Sequence, residues 1–358
     1  MRFTKEEKSL VWLDSFGLEY ARKAAFMKIS ENIAETVSGF ADFREKIASA
    51  VGEEDCAKLE AARTPEYLSD LFSRYSARGI LPVTWYSDLY PEALKEIDNP
   101  PFVLYCKGNA ELLKERKFSV VGSRRTLPHI LKETESFSEA LSEYFVIVTG
   151  LADGGDTAAA TGALESGRII SVLAFGFDHV YPECNRGLLE KIEEKGLAIT
   201  EYIPSVAPKK HLFPERNRII AGLSEGLLVV SGGKKSGTRI TADFAYNFGR
   251  DVFAFPYSIG TASGEGCNHI IKEYAKLTDN LVDITSAFGI NLTEKEEISL
   301  TSAERAVLEA LAEGERHISE IAAKTGLKPY ELPPLLTLLE MKKLASPCGG
   351  NRWSALKR

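Results

Sequence analysis

The richest run of chemically competent side chains is Lys209-Lys210-His211-Leu212-Phe213-Pro214-Glu215-Arg216-Asn217-Arg218-Ile219-Ile220, which sets four cations and an aromatic against one acid. Pro214 suits a first helical position, so Arg216, Asn217 and Arg218 are expected on an opening turn whose free N–H groups favour anions. Phe213 can stack on a nucleobase, a contact worth roughly 1–3 kcal/mol per base. A plainer reading of the same residues puts Phe213 in the core and pairs the arginines with Glu201 or Glu215. Together the charges and the ring describe a clamp for a polyanion.

Two further clusters follow glycines. Gly122-Ser123-Arg124-Arg125 lets backbone approach a phosphate closely, while Ser123 offers a hydroxyl and Arg124 a forked donor. Gly232-Gly233-Lys234-Lys235-Ser236-Gly237-Thr238 adds two lysines, with Thr238 expected to cap the next helix. It is not a P-loop, because the lysines precede the last glycine. Nor does G-x-G-x-x-G mark the first turn with a ribose-binding acid at the usual distance, so no cofactor is expected.

No catalytic constellation assembles. His179, His211 and His269 lie in different segments with no nucleophile motif beside them, and Asp153 and Asp156 are equally helix caps. Cys267 reads as a buried thiol, and no C-x-x-C pair occurs among the five cysteines, which argues against zinc and against a disulfide framework. Lys and Arg number 44 against 51 Asp and Glu, a net charge of −7, which excludes a generally basic coat but not a local basic groove.

These clusters need elements to hold them. Each glycine turn follows an apolar run: Phe118 to Val121, Val146 to Thr149 before Gly150-Leu-Ala-Asp153-Gly154-Gly155-Asp156, and Gly226 to Val230. Strands near Phe118, Val146, Ile169, Ala198, Leu227 and Val252 alternate with helical stretches such as Leu131 to Tyr144, which implies an α/β fold with a doubly wound, mainly parallel sheet. Such a sheet gathers its turns at the strand C-termini, where anions are expected to meet backbone N–H groups.

The spacing of Leu10, Leu13 and Phe16 and of Leu68, Leu71 and Phe72 predicts a small helical domain over residues 1–75. Its Asp14-Ser-Phe-Gly-Leu18 turn has no basic follow-up and reads as packing. Residues 76–108, broken by four prolines, form a connector with an entry strand at Phe102 to Tyr105, ahead of the main domain at 109–285. A polar linker at 286–299 precedes a winged-helix-like module at 300–358, opened by Thr301 or Ser302, with helices to Leu311, through Ile318 to Thr325, and over Tyr330 to Leu344. Glu331, Pro333, Pro334 and Glu340 equip that third helix poorly for phosphates, and Lys342 and Lys343 come late. A protein-contact or structural role is expected. No apolar run approaches the ~20 residues of a membrane span and no secretory leader opens the chain, so a cytoplasmic protein is expected.

Read in order, Tyr90-Pro-Glu-Ala-Leu94, Val121-Gly-Ser-Arg124, Gly150-Leu-Ala152 with Gly154 and Asp156, Val180-Tyr-Pro182 with Asn185-Arg186, Phe213-Pro-Glu-Arg-Asn-Arg-Ile-Ile-Ala-Gly-Leu-Ser224, Ser236-Gly-Thr238 and Gly266-Cys-Asn268 resemble the DNA-processing family DprA, also called Smf, over roughly residues 80 to 285. The resemblance implies an extended Rossmann fold, a homodimer, binding of single-stranded DNA without marked sequence preference, and assistance to the RecA recombinase in transformation or recombination, with no enzymatic activity. It places DNA contacts on Arg124, Lys210 and Phe213. The chain departs from the family pattern at Asp153, Gly155 and Ala160 in the second turn, and at Ser205 and Tyr257. Loss of a cation at Asp153 implies that the second turn does not touch DNA. The alternative is an enzyme on nucleoside monophosphates like the Rossmann-type phosphoribohydrolases, suggested by Gly232-Gly233 and Gly237-Thr238, but Arg239, Ile240 and Thr241 stand where those families need a glutamate.

Overall fold

All six anticipated strands form and lie parallel. The computed structural model describes residues 3–291, 300–312, 314–342 and 344–356. The strands are β1 (Leu81–Thr84), β2 (Val103–Gly108), β3 (Lys117–Val121), β4 (Val146–Thr149), β5 (Ile169–Val172), β6 (Leu197–Thr200), β7 (Gly226–Val229), β8 (Asp251–Ala254) and β9 (Lys276–Leu277), in the order β1-β2-β6-β5-β4-β3-β7-β8-β9. β3 to β9 run parallel, while β2 pairs antiparallel with β6 and β1 with β2. Near-continuous apolar runs such as Val146-Ile147-Val148 suit strands covered on both faces, and these side chains are fully buried.

From β3 the chain winds outward through β4, β5 and β6, then returns to place β7 on the other side of β3. The C-terminal ends of β3 and β7 are therefore the topological switch point, where an open α/β sheet leaves a crevice. Two strands had gone unread: β1, hidden among prolines, and β9, only two residues long.

Six helices between Lys5 and Ala77 precede the sheet. Thr4 and Glu7 open the first with a capping box, and Thr64 with Pro65 opens the last. Their core, with Leu10, Trp12, Phe26, Phe40 and Ile47, continues into Val103 and Tyr105 of β2. Asp14 is buried there, accepting from the Tyr105 hydroxyl at 2.8 Å and pairing with Lys23 at 2.6 Å. The Asp14 turn is thus a packing element.

Two compact units divide the chain, Met1–Ile284 and Thr285–Arg358. The expected linker falls mostly on residues 292–299, outside the described residues. In the second unit, helices Ser302–Leu311, Ile318–Thr325 and Leu332–Met341 pack with a three-stranded wing of Arg316–His317, Ala345–Gly349 and Arg352–Ala355. Thr301 and Glu304 form a capping box, and Gly326 ends the second helix in the left-handed region. The third helix is shorter than its spacing predicts. Its exposed face carries Pro334, Leu338 and Met341, while Lys342 pairs with Glu304 at 2.6 Å. Lys343 lies outside the described residues.

Candidate nucleic-acid interface

The turn after β3 is built by contact between two glycines. Gly122 and Gly155 pack backbone to backbone: a Cβ added at Gly155 would stand 2.4 Å from the Gly122 Cα. Gly154 has φ +83°, and a Cβ there would meet the Ser123 carbonyl at 2.4 Å. Any side chain at these positions would push the first and second turns apart.

Asp156 locks the junction. It is not a helix cap, since Gly154 precedes the helix Gly155–Leu164 and its carboxylate accepts instead from the Gly122 N–H at 3.0 Å. The Ser123 N–H donates to the Ser231 hydroxyl at 2.9 Å. The first two amides of the turn, those of Gly122 and Ser123, are therefore taken within the protein. Positive charge at this turn comes from the Arg124 side chain.

Arg216 sits beneath. Its guanidinium is buried, donating through Nη1 to the Gly150 carbonyl at 2.7 Å and to the Val172 carbonyl, and through Nε to Asn217 Oδ1 at 3.1 Å. Burial pulls its pKa down to about 10 against the opposing pull of Asp156. Burial likewise pushes the Asp156 carboxyl up, opposed by Arg216 and by N–H donors including Gly122. The two opposite charges attract each other within the buried turn, and the Arg216 bonds to the Gly150 and Val172 carbonyls join the ends of β4 and β5.

Arg218 is also committed. It holds Glu201 through two bonds at 2.6 and 2.7 Å and donates to the carbonyls of Asn99 and Glu215. The expectation that Arg216 and Arg218 hold phosphates is corrected on these grounds, and Asn217, bonded to Arg216 and to the Gly237 carbonyl, joins them. The reason lies in where the helix begins. It runs Leu212–Leu223, so Pro214 is its third residue, and Arg216, Asn217 and Arg218 fall on the second turn, rotated inward. Of the plainer reading, the Glu201 pairing holds, while Phe213 stays half-exposed.

Thr238 does not cap its helix. Ser236 stands at the N-cap, and the buried Thr238 hydroxyl meets the Ser236 hydroxyl at 2.6 Å, with Gly237 between them leaving the backbone open.

The exposed cations are Arg124, Arg125, Lys209, Lys210, Lys234 and Lys235, and among the described residues none makes an ion pair. Arg124 lies over two rings, 5.6 Å from the Tyr181 centroid and 5.9 Å from that of Phe213, and its Nη1 reaches the Tyr181 hydroxyl at 3.4 Å. The rings meet edge to face at 5.4 Å. Lys210 lies three residues ahead of Phe213, and Lys234 and Lys235 on the loop after β7. A cleft of about 330 Å³ at the switch point is lined by Gly122, Arg124, Phe213, Asn217, Gly237 and Thr238, among others. Tyr181 joins the candidate residues through this geometry, and its signal in the sequence is the Val180-Tyr-Pro182 motif.

A family model described as DNA recombination-mediator protein A matches residues 82–289, and one described as the DprA winged helix domain matches residues 293–351. The chain belongs to the DprA family. DNA processing protein DprA of Streptococcus pneumoniae is 42% identical over 223 residues, spanning 62% of this chain and 77% of that protein. The Bacillus subtilis DprA is 35% identical over 261 residues, 72% of this chain and 84% of that one. Among solved structures, S. pneumoniae DprA superposes with a TM-score of 0.61 at 33% identity, covering 80% of this chain and 98% of that one. DprA from Helicobacter pylori, described for its single-stranded DNA binding mode, gives 0.54 at 28% identity over 58% of this chain and 95% of that one. The motifs that carried the resemblance fall within the first matched span. Among the described residues no helix is long and apolar enough to cross a membrane, and no His, Cys, Asp and Glu cluster could hold a metal.

Proposed function

We propose that this DprA-family protein binds single-stranded DNA across the C-terminal edge of its parallel sheet and, as a cytoplasmic homodimer, mediates recombination by delivering the strand to a RecA recombinase. The observation that carries this is Arg124: a guanidinium without a carboxylate partner, seated over Tyr181 and Phe213 at the mouth of the switch-point cleft. Phosphates would meet Arg124, Lys209, Lys210, Lys234 and Lys235, and an unstacked base would meet the rings. A second subunit would double the cations along one strand. The protein acts without catalysis in this reading. Asp156, the carboxylate lining the cleft, is held by backbone N–H groups in the field of Arg216, and burial holds the Cys267 thiol up at about 12. Arg239, where a phosphoribohydrolase needs its glutamate, is engaged with Glu273.

The test is a gel shift of Arg124→Ala with Lys210→Ala on single- and double-stranded DNA over a salt series, with light scattering for the dimer. Binding of the single strand should fall steeply with salt and weaken in the variant. Salt-independent affinity, or an unaffected variant, would overturn the reading. RecA delivery is checked by filament assembly on DNA coated with single-strand-binding protein, which this protein should accelerate. Release of free base from nucleoside monophosphates would restore the enzymatic alternative.

A further inference from the structure

Arg124 and Ser123 line two clefts. Besides the switch-point cleft, a second groove of about 600 Å³ shares Ser123 and Arg124 with it and is lined further by Arg125, Leu127, Gly233, Thr261 and Ala262. Its walls are fixed. The loop after β8 is tied to the loop after β7 by the Gly232 N–H donating to the Ser263 carbonyl at 2.7 Å, and by the Tyr257 hydroxyl donating to the Val230 carbonyl at 2.6 Å. Asn268 clamps the Tyr257 backbone through its N–H and carbonyl at 3.0 and 2.8 Å. Leu127 and Ala262 give the groove an apolar lining, and Ile259 stands fully exposed on the same loop. Arg125 lines the groove and Lys234 and Lys235 follow its lining residue Gly233 in the chain; all three are exposed and make no ion pair among the described residues.

An apolar lining beside unpaired cations matches one kind of occupant: a chain whose flat faces shed water and whose linkages carry negative charge. We propose that this groove is a second nucleotide subsite, holding the continuation of the strand bound at Tyr181 and Phe213, so that the DNA passes over Arg124 and occupies both clefts. Arg125 holds a phosphate, a base lies against Leu127 and Ala262, and Tyr257 is the strut that keeps the far wall in place. The inference rests on the single-strand reading above and extends it to the length of strand each subunit covers.

The experiment titrates the full chain with oligo-dT of about 4 to about 16 nucleotides, comparing wild type with Arg125→Ala, Ala262→Leu and Arg124→Ala. Arg125 and Ala262 are exposed, so folding is not at risk, and equal thermal midpoints check it. Arg125→Ala should weaken long oligonucleotides about 3- to 10-fold and reduce the salt slope by about 0.7. Ala262→Leu, which fills the groove without altering charge, should shorten the occluded length and leave the shortest probes unaffected. If Arg124→Ala weakens binding while both groove variants match wild type in affinity and occluded length, the second subsite falls and the single-strand reading stands. A uniform loss at every length also overturns the subsite. If no oligonucleotide binds wild type, both fall.

Discussion

Replacing Arg216 by alanine separates an arginine that holds the fold from one that holds ligand. The substitution removes the donors to Gly150, Val172 and Asn217 and leaves Asp156 buried without its countercharge. Removing a buried charge that compensates another costs about 3–5 kcal/mol, and at roughly 2–4 °C per kcal/mol for a large domain the melting midpoint should fall by about 10 °C. Tryptophan fluorescence reports it, since Trp12 and Trp85 lie in the same unit as Arg216. The deficit should depend on pH. A carboxyl whose pKa is raised on folding binds more protons folded than unfolded between its two pKa values, so stability falls as pH rises through that window. Burial already raises Asp156, and losing Arg216 raises it further. The deficit should therefore be smallest in acid and grow toward neutral pH. Arg124→Ala, at an exposed side chain, should stay within about 0.5 kcal/mol of wild type and weaken strand binding. The reverse outcome, an Arg216→Ala protein of unchanged midpoint that no longer binds DNA, refutes the assignment of the two arginines.

Lys117 is buried at the start of β3, donating to the Glu115 carbonyl at 2.6 Å, and burial pulls its pKa down to about 8. Between that value and the ordinary 10.5 the unfolded chain binds more protons, so stability rises with pH across the window and the cost is full below it. Lys117→Met should stabilise at pH 7 by about 1–3 kcal/mol, measured by urea unfolding, and a gain that fails to shrink toward pH 10.5 contradicts the account. Tyr181→Ala should cost about 1–3 kcal/mol of single-strand affinity in fluorescence anisotropy without shifting the melting midpoint, and unchanged affinity would remove the ring from the site. Deleting residues 300–358 should leave oligonucleotide binding largely intact; its loss would move the reader to the winged helix.

The sheet was legible because strands buried on both faces must be mostly apolar, and the six runs between Phe118 and Ala254 are, with Ser119 and Ser171 among the few polar exceptions. The positions of Arg124, Lys210 and Phe213 were legible because their motifs tie each to a turn or a helix start. What could not be read was rotation. Whether Arg216 and Arg218 face water depends on the helix starting at Leu212 rather than at Pro214, a shift of two residues and about half a turn. Asp156 was ambiguous for a related reason: a carboxylate near a helix start is ordinarily a cap, and only tertiary contact reveals that it serves the turn after β3.

The contact between Gly122 and Gly155 makes two positions 33 apart in sequence a single steric unit. Neither can accept a branch unless the other's backbone retreats, and Asp156 beside them forbids the retreat. The exposed lysines and arginines around the edge carry no such debt and are free to trade places as lineages diverge. Kin that keep glycine at the second of these positions should keep it at the first as well, whatever charges surround the pair.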